Sequence, residues 1–177
     1  MKRLFTFAAA LLLSFGLLAP GTAEAQTSVK FGPRLGIPVG DVSDIGGNLY
    51  LGADARFDTD ALPVVLNPSV DFYFVDEVEG TSVDQSVFAI DLNALYEFGV
   101  DNEAFTPYAG GGIAITRFSV DDDGVFPGDP DETDVGLNVV GGARFPLGSV
   151  EPFAQLNAVV GGDIDRLGLT GGILFSL

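Results

Sequence analysis

Phe88-Ala89-Ile90-Asp91-Leu92-Asn93-Ala94-Leu95-Tyr96-Glu97-Phe98 puts Phe88, Ile90, Leu92, Ala94, Tyr96 and Phe98 on one parity and Ala89, Asp91, Asn93, Leu95 and Glu97 on the other. A two-residue period marks a strand with two unlike faces. The run is about twice the five to six residues of an ordinary soluble strand. It suits a tilted strand that crosses a bilayer, which needs roughly 9–11 residues.

The pattern recurs on both sides of this segment. Val29, Phe31, Leu35, Ile37 and Val39 oppose Lys30, Gly32, Arg34 and Gly36. Leu49, Leu51, Ala53, Ala55 and Phe57 oppose Asn48, Tyr50, Gly52, Asp54 and Arg56. Leu66, Val70, Phe72 and Phe74 oppose Asn67, Ser69, Asp71 and Tyr73. Beyond Phe98 a weaker segment sets Ala109, Gly111, Ile113 and Ile115 against Tyr108, Gly110, Gly112, Ala114 and Thr116. Three more are centred on Leu137-Asn138-Val139, Leu156-Asn157-Ala158 and Leu169-Thr170. Eight antiparallel segments joined in order predict an all-β, up-and-down transmembrane β-barrel. An even count leaves both termini at one end. The connectors 41–47, 76–85, 119–134 and 162–165 then lie at the other end, and two of them are the longest in the chain. Pro33 and Pro68 each remove a ladder donor from a strand, and a bulge at either is one way to absorb the loss.

The first 25 residues read differently. Lys2 and Arg3 precede an apolar run from Leu4 to Leu18, and Ala23-Glu24-Ala25 offers small residues where a signal peptidase reads. The expected organisation is a cleaved signal peptide over 1–25 and a barrel domain over 26–177. Formal charge is −17, and removal of Lys2, Arg3 and Glu24 (net +1) takes it to −18. That field repels phosphate backbones, so no nucleic-acid partner is expected. The chain has no cysteine and no histidine, which removes thiolate chemistry and argues against histidine-dependent barrel enzymes.

Alternation alone does not say which face is inside. A soluble, lipocalin-like periplasmic barrel around a small apolar ligand has the same period, and it predicts solvent-exposed Arg56 and Arg144. Charge placement favours the opposite orientation. The polar parity carries Lys30, Arg34, Arg56 and Arg144 against Asp54, Asp71, Asp91 and Glu97, a net charge of zero. The remaining mature charge is Arg117 and Arg166 against 20 acids, and these acids lie in connectors or at strand ends. A balanced wall in so acidic a chain reads as an enclosed, paired lumen network, because buried charges need partners. Asp71 and Asp91 are close enough in this scheme for acid–base work, but pairing with Arg34, Arg56 or Arg144 is the simpler expectation. Tyr50, Tyr73, Tyr108 and Phe153 point inward and need small neighbours such as Gly110, Gly112, Gly142, Gly168 and Gly172. Phe57, Tyr96, Phe98 and Phe145 fall where an aromatic girdle belongs.

Two stretches carry a family resemblance. Pro107-Tyr108-Ala109-Gly110-Gly111-Gly112-Ile113 resembles small bacterial outer-membrane barrels of the OmpA/OmpX/opacity type, and so does the ending from Pro152-Phe153 to Phe175-Ser176-Leu177. The resemblance implies insertion in the bacterial outer membrane, contact with its lipid and lipopolysaccharide, and a monomer. It also implies docking to the assembly machinery through the last strand, at Ile173, Phe175 and Leu177. The family usually ends in an aromatic residue, whereas here Phe175 lies two short of Leu177. No cell-wall-binding domain is expected after the barrel. No cofactor is expected either. The segment 121–134 has seven acids in 14 residues, and Asp121, Asp123, Asp129 and Asp131 are weak candidates for a hard cation. An EF-hand register ending its first half at Gly124 puts Ser119 and Pro130 where ligands belong, and both fail. The function expected is a non-enzymatic structural or surface-interaction barrel with a filled lumen, and a narrow pore is the alternative.

Overall fold

The computed structural model describes residues 27–39, 41–44, 47–75, 84–102, 104–121, 132–162 and 165–177, and for 41, 44, 84, 85, 120 and 121 the backbone alone. The signal-peptide segment lies outside the described residues. Strands β1 (Thr27–Val39), β2 (Gly47–Thr59), β3 (Val65–Val75), β4 (Asp84–Glu97), β5 (Thr106–Asp121), β6 (Glu132–Arg144), β7 (Val150–Val160) and β8 (Arg166–Ser176) close into one antiparallel barrel in chain order. β1 pairs with β8, so no sheet edge is left open. One helical turn, α1 (Asp41–Asp44), lies between β1 and β2.

Each strand wears its apolar parity outward. Phe31, Leu51, Phe72, Leu137 and Leu169 are 46–63% exposed, while Arg34, Asp54, Arg56, Asp71, Asp91 and Arg166 are 2% exposed or less. The barrel is thus inside out relative to a water-soluble one. The soluble, ligand-binding alternative fails here, for Arg56 is buried rather than solvated. Tyr96, Phe98 and Phe145 stand exposed at the terminal end of the wall, with Tyr96 and Phe98 edge to face at 5.2 Å between ring centroids.

The fifth segment, weakest in the sequence, forms the longest strand at 16 residues. Three consecutive glycines blur its period, yet the backbone pairs continuously with β4 and β6. The connector expected over 119–134 is correspondingly shortened by strand residues at both ends. No bulge forms at Pro33 or Pro68, where the register is unchanged on either side. The β2–β3 ladder skips the rungs between Asp54↔Ser69 and Phe57↔Leu66, beside Pro68. There the Ala55 carbonyl accepts the Asn67 side-chain amide at 2.9 Å. That bond supplies the donor that proline cannot. The register shift falls instead between Gly47 and Leu49, beside α1.

Candidate functional site

The candidate site is the lumen, and its charges fall into two separate layers. In the central layer, Arg34 donates from Nε to Asp71 Oδ1 at 2.7 Å and from Nη2 to Asp71 Oδ2. It also reaches Asp54 at 3.4 Å and Asp91 at 3.5 Å. Arg166 donates to Asp91 at 2.7 Å and to the Tyr73 hydroxyl at 2.8 Å. Arg56 sits 3.3 Å from Asp54, donates to the Tyr108 hydroxyl at 3.0 Å, and lies over the Tyr108 and Phe153 rings at 4.5 and 4.8 Å. Three guanidinium groups thus meet three carboxylates. Asp71 and Asp91 do come together, but as shared partners of Arg34.

The second layer lies toward the terminal end. Arg144 grips Glu97 with two hydrogen bonds of 2.6 and 2.7 Å and donates to Glu151 at 2.8 Å. Glu151 in turn accepts from Lys30 at 2.6 Å. Two cations again meet two anions, now partly exposed. Each layer is neutral by itself, so neither needs a counter-ion from outside.

Two members of these layers, Arg166 and Glu151, lie outside the eight lumen charges that the sequence predicts. Arg166 is 2% exposed and Glu151 6%. The signal for them was parity. Arg166 keeps step with Gly168 and Thr170, and Glu151 with Phe153 and Gln155. Carrying the alternation one step further would have included both. Asp134 keeps step with Gly136 and Asn138 and is buried as well. Of the weak cation candidates, Asp121 falls at the end of β5, whereas Asp123, Asp129 and Asp131 lie outside the described residues.

Neutral polar groups and glycines complete the filling. Asn138 donates to Asn93 at 3.0 Å, Asn67 donates to Asp54 at 2.9 Å, and Tyr108 donates to Gln155 at 2.9 Å. These contacts follow a rule of the register. Arg34 and Asp71 both face Gly52, Asn93 and Asn138 both face Gly112, Tyr108 and Gln155 both face Gly142, and Tyr50 and Thr170 both face Gly36. In all four, the two partners stand on alternate strands and meet above a glycine that has no side chain to separate them. A Cβ on Gly142 would lie 2.8 Å from the Tyr108 hydroxyl, and one on Gly172 would lie 2.5 Å from the Phe153 ring.

Apolar groups separate the two ionic layers and close the loop end of this stack. Val65, Leu95, Tyr108 and Val140 form one cluster. At the loop end Val42, Tyr50, Tyr73, Val87 and Ala89 form another, flanked by Val75 and Phe118. Val42 belongs to a connector and no period marks it. On β8, Ile173 and Phe175 point outward, and Leu177, just past its end, is 85% exposed.

A family model described as the outer membrane protein beta-barrel domain matches residues 7–170. Among solved structures, the N-terminal β-barrel domain of Pseudomonas aeruginosa OprF aligns with a TM-score of 0.62 at 19% identity, covering 87% of this chain and 100% of that one. Neisserial surface protein A aligns at 0.58 and 20% identity, over 88% of this chain and all of its own. Ail, the attachment invasion locus protein of Yersinia pestis, aligns at 0.60 and 15% identity, again over 88% of this chain and all of its own. No curated protein matches the chain significantly. At these identities the three structures share a fold with this chain, and the family match carries the relationship.

Proposed function

From the premise that the chain belongs to the outer-membrane protein β-barrel family and resides in the outer membrane of a bacterium, we propose that it is a structural, surface-interaction barrel without catalytic activity, closed to solutes by its own side chains. The observation that carries this reading is the pair of neutral ionic layers stacked across the lumen. An ion entering the central layer would have to displace Arg34 or Arg166 from a buried carboxylate, and breaking such a pair costs about 3–5 kcal/mol.

The outward role falls to the loops. Segments 41–47, 76–83, 122–131 and 161–165 contain Asp41, Asp44, Asp76, Glu77, Glu79, Asp122, Asp123, Asp129, Asp131, Asp163 and Asp165, and no lysine or arginine. Such loops attract cationic groups and divalent ions, and through bridging ions the phosphates of lipopolysaccharide. Ail has been crystallised with sucrose octasulfate, an anionic heparin analogue. The charge on the loops of this chain argues for partners of the opposite sign. Lipid and lipopolysaccharide surround the barrel as a monomer, and the assembly machinery engages β8 through Ile173, Phe175 and Leu177. The signal peptide over 1–25 directs export.

Conductance across planar bilayers tests the closed lumen. The purified barrel should give no stable single-channel steps at neutral pH in 1 M salt (about 1 M, where a 3 Å screening length still leaves buried pairs intact). Large, long-lived steps would overturn it and favour the narrow pore.

A further inference from the structure

At the terminal end, the apolar face of the wall runs on past the strands. Phe98, Phe145 and Phe175 are exposed aromatic residues at that end of the wall. Two residues beyond each stands an aliphatic one: Val100 after Phe98, Leu147 after Phe145 and Leu177 after Phe175. Leu62, in the turn before β3, keeps step with the outward Leu66. All four hold the outward parity of β4, β6, β8 and β3, and they are 44–85% exposed. The acids of the same turns hold the other parity, with Asp58 in step with Arg56 and Asp101 in step with Glu97. The backbone supplies an independent observation. The Leu62 N–H donates to the Thr59 carbonyl at 3.0 Å, that of Leu147 to Val150 at 2.9 Å, and that of Leu177 to Val29 at 3.1 Å. A segment can enter a layer poor in water only when such donors are satisfied within the protein.

We propose that Leu62, Val100, Leu147 and Leu177 form an aliphatic hem that anchors the terminal turns in the headgroup layer of the membrane. The inference rests on the membrane-embedded reading above and extends it to the turns. Depth decides the matter. Two residues advance a strand by about 6.7 Å, which is about 5 Å along the membrane normal at a tilt of about 40°. A headgroup layer is about 5–7 Å thick, half the difference between the whole bilayer and its hydrocarbon core. With the aromatic rings at the hydrocarbon edge, the aliphatic residues fall within the headgroup layer and short of bulk water. Lipid is the occupant because the hem continues a lipid-facing wall, with no polar residue of the same parity between Phe98 and Val100, Phe145 and Leu147, or Phe175 and Leu177. The hem also sets how deep the barrel sits. A shift toward the loops would draw Asp58 and Asp101 toward hydrocarbon, and a shift the other way would put the aliphatic residues in water.

The chain has no cysteine, so a single introduced thiol can carry a nitroxide label at one chosen place. Labelled barrels are folded into phosphatidylcholine vesicles. Relaxation of the label is measured with oxygen, which concentrates in hydrocarbon, and with a water-soluble nickel chelate present on both sides of the bilayer. Leu137→Cys, in the middle of the wall, is the membrane reference. Asp101→Cys, exposed beside Val100 but of the other parity, is the aqueous reference in the same turn. Val100→Cys and Leu147→Cys should give an oxygen-to-nickel ratio about threefold or more above that of Asp101→Cys, and below that of Leu137→Cys. Should either fail to assemble, seen as loss of the heat-modifiable gel shift, Leu62→Cys supplies the same comparison. Nickel access at the hem equal to that at Asp101→Cys, with Leu137→Cys shielded, would overturn the hem and leave the membrane wall standing. Broadening between hem labels that disappears on dilution with unlabelled barrel would overturn it in favour of a second copy. Nickel access at Leu137→Cys would remove the membrane wall itself, and the hem with it.

Discussion

Replacing Arg34 by methionine tests the central layer most directly. Arg34 serves both oxygens of Asp71 and also lies 3.4 Å from Asp54 and 3.5 Å from Asp91. Without it, Asp54 keeps Arg56 and Asn67, and Asp91 keeps Arg166. Asp71 loses its salt-bridge partner and keeps only the longer-range attraction of Arg166. The layer goes from three cations and three anions to two and three. A buried carboxylate stripped of its partner costs about 3–5 kcal/mol, so Arg34→Met should lose that much stability. Asp71→Leu should cost less, about 1–3 kcal/mol, because Arg34 still has two carboxylates nearby. The double variant restores two cations against two anions, and exchanging a buried pair for apolar groups of similar size is often close to neutral. The two single losses should therefore fail to add, with a coupling of about 4 kcal/mol or more when the double variant is near neutral. The assay is urea unfolding in phospholipid vesicles, read from the fraction that migrates as folded barrel without heating. Single losses that simply sum in the double variant would refute the shared layer. So would an Arg34→Met barrel within about 1 kcal/mol of the parent.

Two further predictions use the same assay. Gly52→Ala and Gly112→Ala should impair assembly or strongly destabilise the barrel, because a Cβ at either collides with the neighbouring strand's backbone, whereas Gly141→Ala, with nothing within 4 Å of the added carbon, should change little. Equal effects at Gly112 and Gly141 would contradict the packing described. Leu137→Arg, at a lipid-facing position in the middle of β6 that is 63% exposed, should cost about 2–4 kcal/mol in a bilayer. A cost near zero in a bilayer would mean that Leu137 does not face acyl chains.

The strands were legible because a barrel wall between lipid and a packed lumen must change character at every residue. Phe88 to Phe98 shows this most clearly, with Asp91, Asn93 and Glu97 on a parity where Leu95 is the one large apolar residue. Legibility fell where side chains vanish. Around Gly110, Gly111 and Gly112 the period has no amplitude, yet the backbone of β5 hydrogen-bonds as regularly there as elsewhere. It fell again where burial has no period behind it. Val42 is driven into the mouth by contact with Tyr50 and Tyr73, residues that lie beyond its own segment.

Parity told which charges face the axis, but a pair also needs the same height and an unobstructed line. Height comes from the stagger between strands, which no single strand records. The line comes from the strand between. Arg34 and Asp71 are 37 residues apart, and they meet because Gly52, between them in the register, has nothing to put in the way. The inward glycines are therefore part of the lumen's recognition code. Each one names the pair that may touch across it. A Gly52→Ala barrel forced to assemble should accordingly lose the Arg34–Asp71 contact while keeping the Arg144–Glu97 pair, since the latter stands in the other layer and owes nothing to Gly52.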